Sequence, residues 1–515
     1  MSKFITLALM FCVVNTIHCA RILCVFPAPS LSHAAVFRIL TEELANRGHE
    51  LVVITPDPAY KGKKSPANFT EIDVHDVSYK VWNNMVESAN GASLYKQLTA
   101  TMQVLADLVK VQQETPQVKE FMAKNQKFDL VLTEASIVAA LGYAHKFKAP
   151  VIQVSSFYGI TSNFEGIGAP THLFLYPAAF RKKLMNLTMK DKIKDVLITL
   201  VLNVAYIGYE REVNGILKTY FGEDTPDLRE LESNVDMLFV NTNPVWEGNR
   251  PVPSSVVYLG QFHIPPVKDL PQDLKSYLDS SSGVIYVSYG SNFSPSSLSE
   301  DKISLLLTVF SKLPYDVLCK WDTEDLPALP SNVKVRKWLP QNDLLRHPKI
   351  KLFITQGGMQ STDEAIVAGV PLIGMPLRAD QFFNAEKYVQ HKIGEKLDWN
   401  TLTEDELYNT ILKVAGDESY RQNVLKLQTL MADQPMSALE RAVWWTEHVL
   451  RHGGARHLRA PAAGVGWADY YELKLVAVLL SMSLVTVMLL IGFIYVLGKF
   501  VSKIKKVFVR KIKNE

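Results

Sequence analysis

An indole at Trp338, a Gly357-Gly358 turn, a carboxylate at Glu364 and a closing Asp380-Gln381 pair follow one another in the run WLPQNDLLRHPKIKLFITQGGMQSTDEAIVAGVPLIGMPLRADQ. Groups of these types, strung over strand, turn and helix, can hold a nucleotide-sugar one chemical part at a time. This stretch points to a ligand class before any other feature of the chain does.

The elements that must position those groups are readable around them. Lys351 to Thr355 (KLFIT) has the length and apolar character of a short strand and ends at Gln356-Gly357-Gly358. Gln360 to Val367 reads as a helix, with Ser361 or Thr362 as N-cap and Asp363 and Glu364 in its first turn. Gly369-Val370-Pro371 stops it, and Pro371 to Met375 is a second strand, which completes a strand–helix–strand unit of a parallel sheet. Glycines after a strand let a ligand approach the backbone, and N–H groups at a helix start attract phosphate. Ligands of open α/β sheets sit at the carboxyl ends of strands, where Gln356 and Asp380 fall. A strand–Gly-Gly–helix alone can equally be an ordinary tight turn.

The wider spacing is more specific. The stretch resembles the donor-binding motif of the UDP-glycosyltransferases, the membrane-bound animal family in particular, and the likeness extends from the strand at Arg21 to the basic tail. The resemblance implies that Trp338 stacks on uracil, with the Leu339 backbone and Gln341 near base and ribose. It implies that Gln356, Gln360 and Ser361 meet the diphosphate while Gly358 gives close access. Glu364 would accept from the ribose hydroxyls, and Asp380 and Gln381 would bind the sugar. Upstream, VSYGSN places Ser288, Gly290 and Ser291 after the apolar strand Val284 to Val287 and is similar to the family's nucleotide loop. Each residue type suits its implied role. An indole gives a flat face for a base, and a carboxylate accepts two bonds from a vicinal diol. Gln356 stands where the family often has His; ITQGG at that place resembles the insect branch, and Gln cannot carry a proton charge there.

The family's general base lies in the loop after the first strand, ending Ser-His. Here that loop is Pro27-Ala-Pro-Ser-Leu-Ser-His33, so the matching residue is His33. A sugar acceptor hydroxyl is a poor nucleophile and must lose its proton as it attacks, and a neutral imidazole is suited to take that proton near pH 7. The family's partner carboxylate is an Asp after FDLVL; here the matching residue is Glu134, whose longer arm can still orient the ring and balance its charge. The implied reaction is a single in-line displacement that inverts the anomeric centre and needs neither a metal nor a cofactor, the UDP-sugar being a co-substrate. A rival reading, a non-catalytic UDP-sugar binder or a partner subunit of an active relative, draws on Gln356 and Glu134. Glucose is the favoured sugar by likeness to insect-type members, with glucuronic acid the alternative. The acceptor is expected to be small and lipophilic and to bind in the first domain, with Phe157, Tyr158 and Phe164 as candidates for its lining or for ordinary packing.

The rest of the chain sets this machinery in a membrane. Its 515 residues suggest two or three domains, and 48% hydrophobic residues against 21% charged are enough for large cores. Seven Lys/Arg and one acid in the tail from Lys499 to Glu515 exceed the net charge of +3, so the body is mildly acidic, which argues against a nucleic-acid binder. Met1 to Ala20 reads as a signal peptide, with an uncleaved anchor as the alternative. Residues 475–498 form an uncharged apolar run long enough to span a bilayer. The basic tail after it (499–515) places the C-terminus in the cytosol and the body in the lumen. Lys511 and Lys513 resemble a dilysine endoplasmic-reticulum retrieval signal, or else extend a basic juxtamembrane cluster. Asn68, Asn186 and Asn292 head glycosylation sequons. Cys24 and Cys319 lie far apart in expected strands, so no disulfide framework or metal site is readable.

The organisation that follows is two Rossmann-like α/β domains across a cleft, which the resemblance implies to be a GT-B fold, plus one transmembrane helix. An acceptor domain runs over 21–250, a Pro-studded linker over 251–275, a UDP-sugar domain over 276–452 and a juxtamembrane segment over 453–474. Val196 to Ile207, preceded by five lysines between 182 and 194, is too short to span. It is either a helix packed on the first domain or one lying on the lumenal leaflet.

Overall fold

Short runs such as RILCV, VIQVS and VIYVS are apolar at nearly every position, the pattern of strands covered on both faces. In the computed structural model, which describes residues 19–89, 92–291, 293–323 and 329–513, they form two all-parallel sheets. The first contains β1 (Arg21–Val25), β2 (Glu50–Thr55), β3 (Phe69–Asp73), β4 (Leu130–Glu134), β5 (Val151–Ser155), β6 (Met237–Val240) and β7 (Val256–Tyr258), in the order 3-2-1-4-5-6-7. The second contains β8 (Val284–Ser288), β9 (Asp316–Lys320), β10 (Val333–Arg336), β11 (Ile350–Thr355), β12 (Leu372–Gly374) and β13 (Gly394–Lys396), in the order 10-9-8-11-12-13.

Both sheets wind the same way. The chain lays down one strand, adds two on one side, then returns to the other side of the first. The order therefore reverses between β1 and β4 and again between β8 and β11. At such a switch point the two following loops diverge to opposite faces and leave a crevice at the carboxyl ends of the strands. His33 and Glu134 lie at the first crevice; Ser288, Gly290, Gln356 and Gly358 lie at the second.

Six helices bear on function: α1 (Leu31–Asn46), α2 (Met189–Phe221), α3 (Met359–Ala368), α4 (Gln381–Gln390), α5 (Ala438–His452) and α6 (Leu473–Ile512). The core of α1 is Val36, Phe37, Leu40 and Leu44, packed on β1 and β2.

Three boundaries differ from the sequence reading. The proposed linker 251–275 contains β7, which closes the first sheet beside β6, because Val256 and Val257 find a buried edge there. Helix α5, assigned to the second domain, returns to the first: Ala442, Val443 and Val449 share a core with Ile22, Val36 and Leu40. The apolar run 196–207 belongs to the longer helix α2, which is buried chiefly over its C-terminal half. Among the described residues one helix, α6, is long and apolar enough to cross a membrane, and it continues through the basic segment. Residues 1–18 of the expected signal peptide (1–20) and the Asn292 sequon lie outside the described residues.

The two sheets share an apolar seam. Tyr158 and Trp246 of the first domain sit in one cluster with Phe353, Phe383 and Tyr388 of the second, and Trp246 stacks on His391 at 5.4 Å.

Candidate active site

At the first switch point β1 and β4 are paired neighbours, with Val25 beside Thr133. Glu134 therefore ends its strand next to the loop that leads from β1 into α1. His33 stands in the first turn of that helix, 101 residues away in sequence, and its Nδ1 lies 2.8 Å from Glu134 Oε1. The carboxylate is almost wholly buried and further held by the Ala28 N–H on Oε2 (3.1 Å) and by the Ser136 hydroxyl on Oε1 (3.3 Å). The imidazole keeps 22% side-chain exposure toward the cleft, with the Phe157 ring 5.4 Å away. The longer arm of Glu134 is thus accommodated.

At the second switch point Ser288 pairs with Thr355, and the two loops that follow touch. Gly290, at φ +80°, has no room for a side chain: a Cβ there would stand 2.3 Å from Gln356 Nε2. Gly357, at φ +89°, turns the chain into α3, whose N-cap position is Gly358. This corrects the expected cap. Ser361 and Thr362 lie inside the helix, because the glycine pair lets it start at Met359. Thr362 Oγ1 contacts its own helix at the Gly358 carbonyl (2.9 Å) and the Tyr388 hydroxyl. Asp363, expected in an open first turn, is fully buried, which pushes its carboxyl well above the usual range.

The remaining donor-side residues form a linked set. Gln341 Nε2 donates to Ser361 Oγ (2.9 Å) and Glu364 Oε2 (2.5 Å), while its Oε1 accepts from the Tyr286 hydroxyl (2.9 Å). Burial raises Glu364 to about 7, and the Gln341 bond partly opposes the shift. Leu339 is buried in the core. Trp338 is 67% exposed with Lys320 Nζ 4.7 Å above its ring, and the same ammonium donates to the Gly290 carbonyl at 2.8 Å. Gln381 is buried, its Oε1 accepting from the N–H groups of Leu377 (2.8 Å) and Arg378 (2.9 Å), so it shapes the loop that carries Asp380. Ser291 sits at the loop after β8.

Three residues outside the motif join the two halves. Trp246 Nε1 donates to the Tyr158 hydroxyl (2.6 Å), which donates to Asn384 Oδ1 across the cleft (2.6 Å). Asn384 Nδ2 donates to the Gly357 carbonyl (2.7 Å) and to Asp380 Oδ2 (3.0 Å). Gln360 adds a second tie, donating to the Ser156 carbonyl at 3.0 Å. Asp380 is raised to about 6 by desolvation; Asn384 and the facing His33 pull the other way. His33 is thus near enough to act on Asp380 across the cleft. Asn384 had a sequence signal, one turn after Asp380 on the same helix face; Tyr158 was a lining candidate and turns out to be a buried tie. Phe164 is buried in the first domain's own core.

Of the sequons, Asn68 has its Nδ2, the atom a glycan needs, donated to the carbonyls of Ala45 (2.8 Å) and His49 (2.9 Å); Asn186 is exposed. Among the described residues no group of three or more His, Cys, Asp or Glu side chains is placed to hold a metal ion.

Known proteins share this architecture and sequence. The family model described as UDP-glucoronosyl and UDP-glucosyl transferase matches residues 21–507. An ecdysteroid UDP-glucosyltransferase of Spodoptera littoralis nuclear polyhedrosis virus is 37% identical, over 92% of this chain and 96% of its own length. UDP-glucosyltransferase 2 of Dactylopius coccus is 30% identical, over 93% of each chain. Among solved structures, the glycotransferase of kitacinnamycin superposes with a TM-score of 0.59 and the calicheamicin glycosyltransferase CalG4 with 0.56. Each aligns over 84% of this chain and 99% of its own, at 18% identity, which establishes the GT-B fold. By sequence and by fold, the chain belongs to the UDP-glucosyl and UDP-glucuronosyl transferase family and is a UDP-glycosyltransferase.

Proposed function

We propose that this enzyme moves a hexose, glucose in the first instance, from a UDP-sugar to a hydroxyl of a small lipophilic acceptor, with inversion at the anomeric carbon. The observation that carries the mechanism is the His33–Glu134 pair at 2.8 Å, opening onto the cleft opposite Asp380.

With Nδ1–H donated to Glu134, Nε2 of His33 keeps its lone pair for the acceptor. Nε2 takes the hydroxyl proton as the oxygen forms its bond to the anomeric carbon. The bond from that carbon to the β-phosphate oxygen breaks, and its electron pair leaves with UDP. Glu134 balances the imidazolium that forms. An α-linked donor gives a β-glycoside.

In this reading the diphosphate lies against the unpaired N–H groups at the start of α3, with Gln356, Gln360 and Ser361 beside them. Charge on the leaving group is then met by fixed donors, without a metal or other cofactor. Gly290 and Gly358 leave room for phosphate, while Ser288 and Ser291 border the nucleotide. Trp338 swings over uracil, Leu339 and Gln341 flank it, Glu364 takes the ribose diol, and Asp380 with Gln381 holds the sugar. The glucose assignment is supported by relatives named for glucosyl transfer, and a steroid-like acceptor is consistent with those named for ecdysteroid. Anchoring by α6 with the catalytic domains in the endoplasmic-reticulum lumen is part of the same proposal, resting on the apolar span and the basic tail.

The non-catalytic alternative loses one of its two supports, because Glu134 does reach His33. The test is a panel of UDP-sugars with simple phenols and sterols on membranes containing the full-length chain, reading UDP release and the anomeric configuration of the product by NMR. Turnover with UDP-glucose to a β-product is expected. An α-product from the α-donor contradicts the single displacement, and UDP binding without any turnover supports the binder.

A further inference from the structure

The catalytic reading leaves one buried acid of the donor helix without a task. Asp363 stands in the first half of α3, beside the ribose candidate Glu364, and is fully buried. Among the described residues neither of its oxygens finds a hydrogen-bond partner. Burial and the neighbouring Glu364 hold its carboxyl well above the usual range, and the nearby Gln261 side chain opposes them. The carboxyl is therefore protonated at neutral pH and offers both a donor and an acceptor.

Gln261 belongs to the other domain. It follows β7, where the chain leaves the first sheet. Gly260 is pinned there: its N–H donates to the Thr242 carbonyl at 3.1 Å, and a Cβ on it would stand 3.1 Å from the Asn243 backbone nitrogen. Phe262 is buried in the first domain's core. Held between these two, Gln261 takes φ +67°, a left-handed conformation that is costly for a residue with a side chain. The side chain presented in this way has a buried Nε2 that also lacks a partner. Beside it, Tyr258, Met431 and Arg441 help to line a cavity of about 200 Å³. The cavity lies between the two stretches that cross from one domain to the other, 259–264 and 432–437, so the joint has room to close.

We propose that Gln261 and Asp363 are a pair of positioning residues, a latch across the domain joint whose amide and carboxyl join when a UDP-sugar occupies the cleft. The inference rests on the donor site proposed above. Gln261 Nε2–H donates to one oxygen of Asp363, and the O–H on the other oxygen donates to Gln261 Oε1. The unpaired nitrogen and both unpaired oxygens are then satisfied at once. The ribose contact at Glu364 draws on α3 from one side, and the sugar faces His33 on the other, so a bound donor favours the closed joint. The latch holds ground state and transition state alike, and its loss therefore appears in KM rather than in kcat.

The test is a double-mutant cycle on the full-length chain in nanodiscs, with Asp363→Ala, Gln261→Gly and both together. It reads kcat and KM for UDP-glucose and, by calorimetry without acceptor, the Kd of UDP-glucose. Gln261→Gly removes the amide and relieves the left-handed backbone, so it carries the test where Asp363→Ala fails to fold. Each single variant is expected to raise KM and Kd about ten-fold with kcat within about two-fold, and the double variant to do no worse than either. Asp363→Asn, whose amide can pair with Gln261 in the same way, should return both constants to within about two-fold of wild type. Effects that multiply to about 100-fold in the double variant overturn the latch while turnover stands. So do wild-type constants in Gln261→Gly, or an Asp363→Asn variant as weak as Asp363→Ala. A wild type that binds UDP-glucose without turnover sinks the transferase reading alone, since the latch is still read from Kd; a wild type that does not bind it sinks both.

Discussion

The two sheets are wound identically, yet their switch points are furnished differently. Between β1 and β4 stands an imidazole–carboxylate pair, His33 and Glu134, with a buried carboxylate held by three donors. Between β8 and β11 stand glycines, Gly290 and Gly357, at positive φ, and a helix start without a side-chain cap. In the proposed mechanism one crevice moves a proton, and the other offers backbone N–H groups to an anion. The same topology thus serves two chemistries, and the difference lies in a few side chains at strand ends. It also sets how each crevice fails. The catalytic crevice depends on one pair and should fail steeply, whereas the donor crevice spreads its contacts and should fail by degrees.

The largest effect is expected at the pair. His33→Ala should lower kcat by about 10²–10⁴-fold while leaving UDP affinity unchanged, measured by turnover and by calorimetric UDP titration. Glu134→Gln should cost about 10²-fold in kcat by losing the charge that balances the imidazolium, with Glu134→Asp retaining more activity. Equal loss of UDP affinity in either variant would erase the distinction between the crevices.

The tie between the halves comes next. Asn384→Leu strips donors from Asp380 and from the Gly357 carbonyl and leaves the Tyr158 hydroxyl proton without its acceptor, a penalty of about 1–3 kcal/mol. It should appear as roughly ten-fold or more in kcat/KM for the UDP-sugar, with UDP affinity itself little changed; Tyr158→Phe should show a smaller loss in the same direction.

Acidity sharpens the donor side further. Burial raises Glu364 to about 7, and in the proposed site it accepts from the ribose hydroxyls in its ionised form, so protons compete with the donor. Donor affinity should be full above pH 7 and weaken as pH falls below it, by about ten-fold per unit at most. Asp380, raised to about 6, adds a second slope below that pH. KM for the UDP-sugar from pH 5.5 to 8.5 checks this, and Glu364→Gln should remove the upper slope. The smallest effect is Trp338→Ala, about 1 kcal/mol of lost stacking, seen as a few-fold weaker UDP binding.

How much of this was legible follows from where each contact comes from. The donor crevice could be read because its residues lie on one strand–helix–strand stretch, where spacing alone sets the order of groups. The start of α3 was misplaced because Ser361 and Thr362 are better caps by propensity than Gly358, yet the glycine turn decides where the helix begins. The His33–Glu134 contact was expected only through a family likeness; from the residues alone it requires that β4 return beside β1 rather than extend the sheet past β3. The Tyr158–Asn384 tie joins residues 226 apart in different domains, and no local pattern signals it. Likewise α5 reads as a continuation of the second domain, and only packing reveals that its Ala442-Val443 face completes the first.

The most direct measurement of the central claim is UDP release from UDP-glucose, in membranes carrying the full-length chain, by wild type and His33→Ala side by side, with UDP binding followed in the same preparations. The account predicts turnover in the wild type, a loss of about 100-fold or more in the variant, and equal UDP affinity in both. Turnover that survives His33→Ala contradicts the assignment of that imidazole as the base.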